Sequence, residues 1–86
     1  MKTVFTRPFL TAYGRLDDIT AARVVKALEL LASNPRHPSL RLKRIRRTPD
    51  LWEARVDRDH RMTLRIERDC YVMRNVGKHD ETLDNP

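Results

Sequence analysis

Three side chains in the last third of the chain have the chemistry to hold and cut a phosphodiester: Arg55, Arg61 and His79. Guanidinium groups grip anionic phosphate through paired N–H donors. Imidazole ordinarily titrates near neutral pH, so it can move a proton there. Asp80 and Glu81 follow His79 directly and could orient its ring or raise its pKa. These groups act together only if three consecutive elements bring them to one place.

The elements that would do so are strands. In Leu51–Asp57, Trp52, Ala54 and Val56 alternate with Leu51, Glu53, Arg55 and Asp57, a half-buried pattern with period two. Arg58-Asp59-His60 turns the chain, after which Met62, Leu64 and Ile66 face a core, with Arg61, Thr63, Arg65 and Glu67 opposite. The two runs read as an antiparallel hairpin. Tyr71–Val76 reads as a last strand with hydrophobic residues on both parities, as expected of a central or doubly covered strand. One outer face then carries Arg55, Arg61, Thr63 and Arg65, with His79 in a loop at its edge. Glu53, Asp57 and Glu67 share that face, so cross-strand ion pairs account for part of it, Arg65 above all. A one-residue slip in register would reverse every such assignment.

Upstream, Val4-Phe5 reads as a short strand before Pro8, which opens a brief helix with Phe9, Tyr13 and Leu16 on one face. Asp17-Asp18 supplies a cap for a second helix, Thr20–Ser33. There Ala21, Val24, Val25, Leu28, Leu31 and Ala32 form the apolar stripe, Arg23, Lys26 and Glu29 lie opposite, and Leu30 is off the core face. Asn34-Pro35 ends this helix. His37-Pro38-Ser39 reads as a loop, Leu42–Arg46 as a strand with weak alternation, and Thr48-Pro49-Asp50 as a turn. The expected architecture is α+β: a short N-terminal strand and a helical pair packed on one face of a small antiparallel sheet, in a single domain of residues 1–86.

Charge is localised. Arg36–Arg47 holds six basic residues and no acid, which equals the whole net charge of +6. Such a patch attracts a polyanion or an acidic protein, although many charge runs are only solvated faces. Arg41, Lys43, Arg44, Arg46 and Arg47, together with Lys78, are the candidate residues for binding a polyanion, RNA among them. His37, His60 and His79 lack metal-ligand spacing, Ser33 and Ser39 only flank a loop, and Cys70 is the sole cysteine. Neither a metal, a cofactor nor a serine or cysteine nucleophile is therefore expected, and Cys70 reads as a packed bystander. Trp52 has the parity of a core residue. No apolar run has membrane-spanning length and Met1–Phe5 lacks the apolar core of a leader, so the expected compartment is the cytoplasm.

The order of these elements, with Leu42-Lys43, Leu51-Trp52-Glu53-Ala54-Arg55-Val56, His60-Arg61-Met62 and Val76-Gly77-Lys78-His79-Asp80, resembles the RelE/ParE superfamily of bacterial toxins over almost the whole chain. The resemblance implies a toxin neutralised by an acidic antitoxin that lays an amphipathic segment over apolar and basic surface, in assemblies that include heterotetramers. For the ribonuclease branch it implies an mRNA interferase: metal-free endoribonucleolytic cleavage on the ribosome, and so translation inhibition. Arg61 would contact the scissile phosphate, Arg55 would support it and His79 would be catalytic. The chain departs from the pattern at Glu53, where some members carry lysine, at His60, where tyrosine is usual, and after His79, where no aromatic follows. The alternatives are a ParE-like toxin that inhibits DNA gyrase without nuclease chemistry and a non-toxic protein-binding module of the same fold.

Overall fold

In the computed structural model, which describes residues 1–86, the chain runs β1 (Lys2–Phe5), α1 (Arg7–Gly14), α2 (Asp18–Ser33), a 3-10 turn (Pro38–Leu40), β2 (Lys43–Arg44), β3 (Leu51–Arg55), β4 (His60–Ile66), β5 (Cys70–Lys78) and α3 (His79–Asp84). Both long helices start where their sequences supply a cap. Thr6 Oγ1 accepts the Phe9 amide at 3.4 Å, and Asp17 Oδ1 accepts the Thr20 amide at 2.7 Å. The backbone hydrogen bond from Thr20 is the main reason that the Asp17 carboxyl is held below its ordinary range.

The sheet order is β1-β5-β4-β3-β2. Four strands pair antiparallel as the hairpin pattern requires, but β1 lies parallel to β5, from Lys2 opposite Cys70 to Phe5 opposite Met73. The expected antiparallel sheet is therefore mixed. The expected strand over Leu42–Arg46 shrinks to two residues. Lys43 and Arg44 pair with Glu53 and Trp52, and then Ile45, only 7% exposed, turns into the core.

Eleven buried residues form one cluster that joins Phe9 of α1 and Val24, Ala27 and Leu31 of α2 to Ala54, Met62, Leu64, Tyr71, Met73 and Val76 of the sheet, with Leu40 beside them. The helical pair thus covers one sheet face. The stripe of α2 is rotated from the one expected: Thr20, Val24, Ala27 and Leu31 are buried, whereas Val25 and Ala32 are exposed. Leu30 is half-buried against the cluster, as is Trp52, which borders the core without entering it.

A bulge explains the mixed parity of β5. Thr63 pairs with Asn75 but Leu64 pairs with Met73, so Arg74 is an extra residue. One inserted residue switches the side-chain alternation, and so Met73 and Val76 both reach the same core despite opposite parity in the sequence.

The segment expected as a loop after β5 is instead a helix lying on the second sheet face. Thr82 is 2% exposed and sits so close to Gly77 that a Cβ there would come within 2.9 Å of Thr82 Oγ1. Beyond the helix, Thr63 Oγ1 donates to the Pro86 carbonyl at 2.8 Å and Asn75 Nδ2 to the Asn85 carbonyl at 2.9 Å. Thr63, expected on an open face, is completely covered.

Candidate functional site

At one end of the sheet the β3–β4 turn and the β5–α3 junction are fastened together. His60 lies opposite Lys78 and Arg61 opposite Gly77, and the His79 amide donates to the Asp59 carbonyl at 2.8 Å. Two four-residue segments, 58–61 and 78–81, line a cleft of about 690 Å³ with no hydrophobic wall. Arg58, Arg61, Lys78, His60 and His79 line it together with Asp59, Asp80 and Glu81, which gives a site of mixed charge rather than a uniform anion sink.

Arg61 and His79 therefore meet, but in different states of engagement. The Arg61 side chain is mostly covered: Nη1 donates to the carbonyls of Asp57 at 2.8 Å and His60 at 2.9 Å, and Nε lies 3.9 Å from Glu53 Oε1. These bonds close the turn and compensate Glu53, which is itself only 7% exposed. A phosphate would have to share this guanidinium with the backbone. The His79 ring is about half exposed, and its Nδ1 lies 2.9 Å from Asp80 Oδ1. An ionised carboxylate can only accept, so this contact puts the Nδ1 proton toward Asp80 and leaves Nε2 toward the cleft.

Arg55 pairs with Arg61 along the backbone, yet it does not line the cleft. It borders a separate groove of about 270 Å³ with Arg23, Lys26 and Leu30 of α2. Lys78 is in the cleft. Arg41, Lys43, Arg44, Arg46 and Arg47 are all exposed and none lies in the cleft. Lys43 sits 4.0 Å from Glu53, Arg44 donates to the Pro49 carbonyl, and Arg41 has the left-handed φ of 45° that ends the 3-10 turn. Arg36 and Arg41 also flank a groove floored by Trp52, Ile66 and Tyr71. Arg65 is ion-paired as expected, but locally rather than across strands: its Nε lies 2.8 Å from Oε2 of Glu67, just past the end of β4. Burial, followed by Glu67 and Asp69, raises the Cys70 thiol, which opposes thiolate chemistry.

Sequence reasoning missed the node that organises this end. Asp57 Oδ1 accepts the amides of Asp59 at 2.9 Å and His60 at 3.0 Å and lies 2.9 Å from His60 Nδ1, while Oδ2 lies 3.2 Å from Arg23 Nη1 of α2. Burial pushes the Asp57 pKa upward, but the hydrogen bonds from His60, the Asp59 amide and Arg23 outweigh it and leave the value at about 2. The signal was present as Asp-x-x-His across a turn, an arrangement in which an aspartate folds back onto following amides. No group of three His, Cys, Asp or Glu side chains is placed to hold a metal ion, and no helix is long and apolar enough to cross a membrane.

No protein-family model matches the chain, and no curated protein matches its sequence. Solved structures do match. A YoeB/ParE toxin from Agrobacterium tumefaciens superposes with a TM-score of 0.76 at 16% identity, covering 92% of this chain and 99% of that one. The RelB-RelE antitoxin-toxin complex from Methanococcus jannaschii gives 0.75 at 18% identity, covering 96% and 99%. The RelBE2 toxin-antitoxin complex from Mycobacterium tuberculosis gives 0.74 at 23% identity, covering 91% and 96%. Over nearly its whole length, this chain has the fold of the RelE/ParE superfamily of toxins.

Proposed function

We propose that the protein is the toxin of a toxin–antitoxin system and acts in the cytoplasm as a metal-free endoribonuclease on ribosome-bound mRNA. The observation that carries this reading is the convergence of His79, Arg61 and Lys78 on one solvent-open polar cleft. Cleavage by an RNA 2′-hydroxyl needs a proton acceptor, a proton donor and cationic stabilisation of the phosphorane, and no metal. His79 supplies proton transfer, Arg61 and Lys78 supply positive charge, and the exposed stretch Arg41–Arg47 holds the polyanion. Arg55 acts outside the cleft, at the groove beside α2.

An acidic antitoxin is the matching partner. Leu10, Ile19 and Val25 stand 55%, 68% and 44% exposed on a chain with a net charge of +6. An amphipathic acidic segment would cover such apolar surface while meeting the basic patch.

The test is induced expression followed by primer extension on cellular mRNA. Cuts within codons that disappear in His79→Ala, while the variant stays folded, support the reading; intact mRNA under wild-type growth arrest would sink it. The engagement of Arg61 with the turn carbonyls favours a second reading, a toxin that acts by contact on DNA gyrase. That reading predicts DNA-damage signalling with intact mRNA.

A further inference from the structure

We infer that His60, oriented by Asp57, is the proton acceptor for the attacking 2′-hydroxyl, with His79 as the proton donor to the departing oxygen; the inference rests on the ribonuclease reading above. Asp57 Oδ1 stands 2.9 Å from His60 Nδ1, and its carboxylate is also held by Arg23 and two backbone amides. A carboxylate so held stays ionised and only accepts. The His60 Nδ1 must therefore carry its proton, and in the neutral ring Nε2 carries the lone pair, the tautomer that an aspartate imposes on a catalytic imidazole.

That Nε2 has somewhere to act. It makes no hydrogen bond to the protein, and no buried side-chain nitrogen or oxygen lacks a partner, so it reaches solvent. His60 is shared by the cleft that contains His79 and by an adjoining polar cavity of about 450 Å³. Opposite strand positions of His60 and Lys78, with the His79–Asp59 backbone bond, fix both imidazole-bearing residues at one strand end. The remaining acids of the cleft, Asp59, Asp80 and Glu81, are exposed carboxylates, which are poorer proton acceptors at neutral pH than an imidazole.

The step balances with this pair alone. His60 Nε2 takes the 2′-hydroxyl proton as the 2′-oxygen bonds to phosphorus. The bond from phosphorus to the 5′-oxygen breaks, and protonated His79 gives that oxygen its proton. The products are a 2′,3′-cyclic phosphate and a free 5′-hydroxyl, with His60 protonated and His79 neutral until water restores both. The charged or titratable groups around His60 are Arg15 just after α1, Asp17 and Arg23 at α2, Asp57, Arg58, Asp59 and Arg61 of the hairpin, Lys78 of β5, and His79, Asp80 and Glu81 of α3.

The same contacts also fasten the turn to α2, so the experiment must separate chemistry from scaffolding. Wild type, His60→Gln and His79→Gln are compared on ribosome-bound mRNA carrying either an ordinary 5′-oxygen or a 5′-sulfur at the cut. Sulfur leaves without an acid, so it should restore His79→Gln and not His60→Gln. Each variant should lose about 10²–10⁴-fold on the ordinary substrate, and His60→Gln should lose the acidic limb of the pH–rate profile. A His60→Gln protein that keeps that limb, or is rescued by sulfur, overturns the inference while leaving the nuclease reading intact. Wild type that cuts neither substrate removes both. Should His60→Gln fail to fold, ¹⁵N NMR of the wild-type imidazoles decides: the Nδ1–H tautomer at His60 supports the assignment, and an Nε2–H tautomer refutes it.

Discussion

The two basic regions of this molecule are built on opposite plans. At the cleft, the two imidazoles and the buried guanidinium are fixed by partners: Arg61 is bound to turn carbonyls, His60 to Asp57, which Arg23 also holds, and His79 to Asp80. Along Arg36–Arg47 the six basic side chains are exposed, and of these only Lys43 and Arg44 have protein partners. A reacting atom must be met within a fraction of an ångström, and fixed partners supply that precision. A flexible polyanion needs only charge density, and exposed arginines supply it. Under the proposed function the difference would separate chemistry from affinity, and it can be tested at four strengths.

The largest effect is expected from His79→Gln. It should lower cleavage about 10²–10⁴-fold with an unchanged melting temperature, because the ring is half exposed and bonded only to exposed Asp80. A parallel loss of stability would show that the cleft is scaffold. Next is Gly77→Ala, which forces a Cβ to within 2.9 Å of Thr82 Oγ1. Overpacking of this kind costs about 1–3 kcal/mol, so urea denaturation should show a lower midpoint, and activity should fall as α3 shifts the His79 segment.

Asp57 gives the third test. Its folded pKa of about 2 lies below the unfolded value near 3.9, so its contribution is complete above roughly pH 5 and is lost as pH falls toward 2. With allowance for partial solvent screening it amounts to about 1–2 kcal/mol. Wild type should therefore lose stability between pH 4 and 2 more steeply than Asp57→Asn, measured by thermal melts. The smallest effect belongs to the exposed stretch. Arg46→Ala with Arg47→Ala should lower RNA affinity about tenfold or less and flatten the dependence of log K on log salt by about 1.4, from roughly 0.7 per single-strand phosphate contact. A changed turnover at saturating RNA would break the division between the regions.

Legibility in the sequence followed how local the determining contacts are. Helix α2 and the β3–β4 hairpin were visible because their apolar residues repeat with a local period. The phase of α2 was not, since docking buries Thr20 and Ala27 rather than the more apolar Val25. The meeting of His79 with Arg61 was expected from element order. The detachment of Arg55 and the prior commitment of the Arg61 guanidinium were not, because both depend on turn carbonyls and side-chain direction. Helix α3, His-Asp-Glu-Thr-Leu-Asp, has almost no apolar face to read. It is defined by Gly77 and Thr82 and, just beyond it, by the contacts of Thr63 and Asn75 with the last two residues.

The parallel pairing of β1 with β5 also has a kinetic side. Thr6 Oγ1 reaches the Met73 carbonyl across 67 residues, and β5 lies between β1 and β4. The helices and the β3–β4 hairpin can form from neighbouring sequence, but the sheet closes only when this distant central strand docks. High contact order of this kind slows folding. A chain interrupted before Cys70 would expose the inner edge of β4 and lack Tyr71, Met73 and Val76 of the core, a species prone to aggregate. Assembly of the cleft, which needs Lys78 and His79 at the end of β5, is therefore coupled to this long-range closure.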